Sequence, residues 1–294
     1  MCNKNGLTLS MVFEAESANY GEGFANTATL KKLSRGDGNA YTYISRQALR
    51  FNMINQLGWD KAESLGKDAK DKSVIQFAPG ATIDKFEEID LFGYMKTSGK
   101  TDSDAGGSLV RNAVVRLSNA IALESYNSET DFLTNMGLAK RLGVMNNIAQ
   151  SEIHKSLYAY TLTIDLDRIG EDGNIHLPKE EKAKRVKEFL TVLITLYRDI
   201  RGRRENLSPL FAIGGTYERK NPFFENRIAV NKGILDVQRL EDSMNIFDGV
   251  KENTEIGYVS GTFKNDAEVK EKLKTKSVGE FFTDLCRKVD EFYA

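Results

Sequence analysis

Cysteine and histidine are nearly absent from this chain: its 294 residues hold two of each. Cys2 and Cys286 stand at opposite ends, so neither a disulfide framework nor a CxxC metal pair can be built from them. His154 and His176 are too few to complete a zinc cluster. No stretch approaches the roughly 20 apolar residues that a membrane helix requires. The polar start, Met1 to Gly6, runs straight into a strand-like pattern and lacks the form of a signal peptide. Internal repeats and low-complexity tracts are missing as well. Net charge is also close to zero, with 41 Lys and Arg against 42 Asp and Glu. A purely electrostatic nucleic-acid binder is strongly basic, so any RNA or DNA binding must come from local basic surfaces. These absences imply a cytoplasmic protein with no metal and no cofactor.

What is present reads as a mixed α and β chain, long enough for one large domain. Leu7, Leu9, Met11 and Phe13 alternate with Thr8 and Ser10, which predicts a half-buried strand. A long glycine-rich stretch follows from Glu14 to Tyr43, of the kind that carries function in compact domains. Ser45 is placed to cap a helix that runs to about Leu57 and stops at Gly58. From Asp60 to Gly107 the texture turns polar around two short apolar clusters, as in an insertion. Val114 to Leu117 and then Tyr158 to Leu166 read as strands. Pro178 opens a helix whose apolar stripe runs from Val186 to Ile200, with Gly202 as its stop. Leu207 to Ile213 reads as a buried strand ending at Gly214-Gly215. Ser277 and Glu280 form a capping box on the last helix. The order strand, helix, strands, helix, strand predicts an α+β fold with a ferredoxin-like or RRM-like core and long insertions.

Two nucleotide motifs fail on spacing. Gly99-Lys100-Thr101 ends like a P-loop, but the leading glycine position is Tyr94. Gly21-Glu22-Gly23 starts a dinucleotide fingerprint whose third glycine position is Asn26. Neither histidine lies in a recognisable triad. Asp37, between Gly36 and Gly38, is the one carboxylate that could hold a divalent metal beside a phosphodiester, although Asp-Gly pairs commonly supply turns.

The informative chemistry is basic and aromatic. Between residues 31 and 50, Lys31, Lys32, Arg35, Arg46 and Arg50 face Asp37 alone, with Tyr41 and Tyr43 interleaved. Arg46 and Arg50 lie one turn apart at the start of the predicted helix, where free amides and the dipole favour a phosphate. Ser45 and Gln47 add neutral donors. Bases plus stacking aromatics are what an RNA backbone needs. A second basic cluster, Arg198 to Arg227, includes Arg219 and surrounds Gly214-Gly215 and the apolar Asn221-Pro222-Phe223-Phe224, whose phenylalanines could wedge between bases or cover a core.

The segments Glu16-Ser17-Ala18-Asn19-Tyr20-Gly21-Glu22-Gly23, Leu33-Ser34-Arg35-Gly36-Asp37-Gly38 and Tyr41 to Arg50 resemble the DevR-type branch of the CRISPR backbone-subunit superfamily, number seven among the Cas families, found in subtype I-B systems. Asn206 to Gly215 and Asp131-Phe132-Leu133-Thr134-Asn135 resemble it too. The resemblance implies a right-hand shape over residues 1–294: an RRM-like palm, fingers at 60–107 and a thumb at 214–227. It implies a non-catalytic subunit that coats the crRNA of a type I Cascade, pairs with further copies of itself in a filament, joins other Cascade subunits, and meets target DNA through the guide. The resemblance matches Ser45, Arg46, Gln47 and Arg50 to the family's patch against the RNA backbone and puts Phe223 or Phe224 at the thumb tip; the full set expected on RNA adds Asn19, Tyr20, Lys31, Lys32, Arg35, Tyr41, Gly214, Gly215 and Arg219. The alternative is a metal-dependent endoribonuclease of type III kind, acting through Asp37.

Overall fold

The structure, a computed structural model, describes residues 5–21, 23, 26–65, 75–98 and 107–294. Its strands of interest are β1 (Gly6–Ala15), β2 (Lys32–Ser34), β3 (Ala40–Ile44), β4 (Val115–Leu117), β5 (Ala120–Ala122), β6 (Glu129–Thr134), β7 (Ile148–Ile153), β8 (Ser156–Asp165), β9 (Phe211–Tyr217) and β10 (Thr254–Tyr258). The helices are α1 (Arg46–Leu57), α2 (Glu87–Phe92), α3 (Met136–Leu142), α4 (Lys179–Ile194), α5 (Val237–Met244) and α6 (Val278–Tyr293). One antiparallel sheet runs in the order β10-β9-β1-β8-β5-β3-β2, with β4 also paired to β8. The mixed α+β class expected from the element order is what the chain adopts.

β1 is central in the sheet, paired with β8 and β9, and its two faces contribute to separate cores. Its polar positions are therefore buried too, a departure from the half-buried strand the alternation predicts. Burial of Thr8 and Ser10 is made tolerable by hydrogen bonds, since an unpaired buried hydroxyl is costly. The Thr8 hydroxyl donates to the Asn221 carbonyl, and the Ser10 and Thr161 hydroxyls pair at 2.6 Å.

On one face of the sheet lie α1, α4 and α6, with Leu9 and Phe13 packed under Phe189, Leu193, Phe281 and Leu285. Each such side chain contributes roughly 1.5–3 kcal/mol relative to exposure. On the other face a second core forms from Val12, Phe211, Ile213, Phe263 and residues of α5. The helix caps are local. Ser45 Oγ accepts the Ala48 N–H at 3.3 Å, Gly58 ends α1 at φ 64°, and Ser277 with Glu280 makes the capping box of α6.

The helix opened by Pro178 stops at Ile194, earlier than its apolar stripe suggests. Tyr197–Ile200 and Arg203–Asn206 instead form a hairpin, turned by Arg201 and Gly202, both at positive φ. That turn geometry matches strand twist, and Gly202 serves the turn, not a helix end. The insertion is tied to the core through Asp90 of α2. Its buried carboxylate takes the Gly170 N–H and the guanidinium groups of Arg111 at 2.7 Å and Arg185 at 3.0 Å.

Candidate functional site

The sheet face opposite the helices is left partly open, and there a cleft of about 710 Å³ forms. Ser10, Ser118, Asn119 and Thr161 give it a neutral polar floor, while Arg35, Tyr41 and Arg46 line it from the β2–α1 side. Arg46 is the first residue of α1 and is exposed, and none of the described carboxylates pairs with it. Its backbone N–H donates to the Asn119 side-chain oxygen at 3.0 Å. The Ala48 N–H goes to Ser45 Oγ, so the helix start offers fewer free amides than its sequence suggests. Gln47 beside it is exposed, and the Ser45 N–H donates to Asn19 Oδ1 at 2.8 Å. Asn19 thus works as a tie between the long loop and the helix start.

Arg35 lies over the Tyr41 ring at 4.1 Å, and the Tyr41 hydroxyl donates to Asp37 Oδ2 at 2.5 Å. The other Asp37 oxygen accepts the Asn39 N–H. The Tyr41 hydroxyl and that backbone bond hold the Asp37 carboxyl below its ordinary range, and the same hydroxyl contact pushes the Tyr41 phenol up. This is the arrangement of a turn acid with its partners satisfied. Among the described residues no group of three or more His, Cys, Asp or Glu side chains converges to hold a metal.

Several expected RNA contacts sit elsewhere. Arg50 turns toward α2, where it pairs with Glu88 at 2.8 Å and lies over Phe92. Its i, i+4 spacing from Arg46 does not bring it into the cleft, because the buried ring and the carboxylate compete for it. Lys32 is held by Glu152 at 2.7 Å and covers the Tyr126 ring. Tyr20 donates to the Glu152 carbonyl and receives Arg201 at its hydroxyl. Lys31 is half-buried and joins Asn19 to Tyr43 through its backbone. Arg219 stacks on Phe247 at 4.3 Å.

The segment 214–227 is not the projecting loop the sequence suggests. Gly214 and Gly215 lie within β9, between β1 and β10, where a Cβ would come within 2.0 Å of the Thr8 and Asn253 carbonyl oxygens. Phe223 and Phe224 are 7% and 1% exposed, packed in the second core. They cover a core because that sheet face needs apolar cover. What does project is an arm at 129–153, built from β6, α3 and β7. Phe132, Leu133, Met136, Leu138, Leu142 and Met145 are exposed on it, the last at 92%. Exposed apolar runs of this kind mark interaction surfaces. In the Asp131 to Asn135 stretch, the adjacent apolar Phe132 and Leu133 between polar neighbours are the sequence signal for this surface. Gly99 to Thr101, and Glu22 of the Gly21 to Gly23 stretch, lie outside the described residues.

Residues 7–234 match the family of the CRISPR-associated negative auto-regulator DevR/Csa2. The chain belongs to the DevR/Csa2 family. Its fold agrees with that of two solved structures of low identity. One is described as "CRISPR RNA-guided surveillance complex, pre-nicking", with a TM-score of 0.62 and 13% identity, covering 97% of this chain and 100% of that one. The second, described as "CRISPR RNA-guided surveillance complex", has a TM-score of 0.57 and 14% identity, covering 96% and 99%. At such identity the likeness speaks to the fold. No curated protein matches this DevR/Csa2 chain. Among its described residues no helix is long and apolar enough to cross a membrane.

Proposed function

We propose that this DevR/Csa2-family chain is a non-catalytic backbone subunit that coats the crRNA of a subtype I-B Cascade. The observation that carries the reading is the open cleft in which Arg35 and Arg46, neither paired to a described carboxylate, border a neutral floor of hydroxyl and amide groups. Uncompensated guanidinium groups suit phosphates, and neutral donors suit ribose without choosing a base. Tyr41, carrying Arg35 over its ring, sets the height of that guanidinium at the rim.

The arm at 129–153 takes the thumb role that the sequence assigned to 214–227. Its exposed apolar tip reaches a second copy, and repetition of that head-to-tail contact builds a filament along the guide. Target DNA then meets the complex by pairing with the guide, and other Cascade subunits join the assembly. Asp37, bonded through each oxygen within its own turn and with no described carboxylates converging on it, supports a structural role over that of a metal ligand.

The test is fluorescence anisotropy of the purified chain on two labelled single-stranded RNAs of unrelated sequence, across a salt series. Binding should weaken steeply with salt and be alike for both RNAs, and Arg46→Ala should lower the salt slope by about 1. A strong preference for one sequence, or binding indifferent to salt, rejects this reading.

A further inference from the structure

The cleft carries a third guanidinium, one that the basic clusters of the sequence do not include. Arg239 lies in the first turn of α5 and lines the same cavity as Arg35 and Arg46. Arg35 and Arg46 enter from the β2–α1 side, whereas α5 is fixed by Val237 and Leu240 to the core that covers β9 and β10. The two sides of the cleft are therefore supplied by elements roughly 190 residues apart in sequence. α5 also lies beyond residue 234, where the family match ends.

The charge state of these arginines sets them apart. Arg50, Arg111, Arg116, Arg185 and Arg198 each sit on a carboxylate. Arg239 spends one Nη2 donor on the Asn226 carbonyl at 2.7 Å, and no described carboxylate pairs with its side chain. The Asp236 carboxylate close by is taken by the Arg239 backbone N–H at 3.0 Å. Among the described residues that line the cleft, Glu225 is the one acid, set against three guanidinium groups. A guanidinium has five N–H donors, so a single carbonyl leaves most of the fork for a phosphate. Asn226 holds the fork in place from a left-handed backbone position, φ 58°, so little side-chain freedom remains to be lost on binding.

We propose that Arg239 is a phosphate-binding residue for the same RNA strand, gripping it from the side of the cleft facing Arg46. The proposal rests on the RNA-coating reading and adds to it a contact contributed by the C-terminal segment. A strand seated between the two sides would be held at phosphates from both, which fixes its path over the Ser10, Ser118 and Thr161 floor.

The experiment compares the full-length wild type with Arg46→Ala, Arg239→Ala and Arg239→Gln, using a labelled uridine oligonucleotide of about 30 nucleotides over a salt series. Arg239→Gln keeps a donor for the Asn226 carbonyl while removing the charge. Both Arg239 variants should bind about 5–10 times more weakly at low salt and show a slope smaller by about 1, with unchanged thermal melts. If Arg46→Ala weakens binding while both Arg239 variants match the wild type, the RNA reading stands and this proposal falls. If Arg239→Ala is weak but Arg239→Gln is normal, Arg239 acts only by holding Asn226, and the proposal falls again. Salt-insensitive or absent binding by the wild type removes the RNA reading itself.

Discussion

The Asn119 side-chain oxygen accepts the backbone N–H of Arg46 at 3.0 Å, joining the turn between β4 and β5 to the first residue of α1. One of the four orphan N–H groups of a helix start is thereby satisfied from a distant part of the chain. Asn119 also lines the cleft, so the tie that holds the helix is the tie that orients Arg46. Replacing Asn119 by Ala should cost about 1 kcal/mol of stability, as for other lost caps. Asn119→Asp should keep or improve the cap, yet weaken RNA binding, because it sets a negative charge beside the phosphate. Urea unfolding and RNA titration on the two variants separate these effects.

Asp90 is the centre of the buried network that fastens the insertion to the core. Burial pushes its carboxyl upward, while the Gly170 N–H, Arg111 and Arg185 pull it down. Removing one member of a buried charge cluster leaves the others uncompensated, at a cost of about 3–5 kcal/mol. Asp90→Asn should therefore lower the urea midpoint strongly, with RNA affinity retained where the chain is still folded. A variant as stable as the wild type would show that the network is not a structural centre.

His154 follows the end of β7, where the arm joins the sheet. Its Nδ1 lies 2.7 Å from the Thr42 hydroxyl, and Tyr126 and Tyr158 meet its ring edgewise. Burial depresses its pKa below the ordinary 6.5, against the pull of Glu124 and Glu129. A depressed pKa contributes stability that is present above 6.5 and lost as pH falls toward the folded value, since the unfolded chain then binds the extra proton. The wild type should lose more stability than His154→Gln between about pH 7.5 and 5.5, as read by thermal melts. Equal losses in the two proteins would place the pH sensitivity elsewhere.

Met145 and Leu142 stand exposed at the end of the arm. Changing both to Glu should move the stability of the single chain by no more than about 0.5 kcal/mol per site. Assembly of several copies on a long RNA should be lost, while one-copy binding to a short RNA persists. Mass photometry on short and long RNAs distinguishes the two. Intact multi-copy assembly in the double variant would remove the arm from the subunit contact.

Much of the frame was legible in the residues. Ser45 and Gly58 bound α1, Ser277 and Glu280 start α6, and the alternation from Leu7 to Phe13 marks β1, because capping and periodicity act within a few residues along the chain. The candidate site was legible only in part. Arg35, Tyr41 and Arg46 do share a cleft, but Arg50 was drawn off by Glu88 and Phe92, residues 38 and more positions away.

By itself the sequence determined where α1 begins and ends and where α6 starts, which strand face is apolar, and that basic and aromatic residues gather before and within the first helix. Tertiary packing alone decided that Gly214 and Gly215 lie between neighbouring strands, that Phe223 and Phe224 close a core, that residues 129–153 project, and that Arg239 joins Arg46 at one cleft. Local rules depend on a residue and its near neighbours, whereas burial and charge pairing depend on which distant surfaces the sheet brings together.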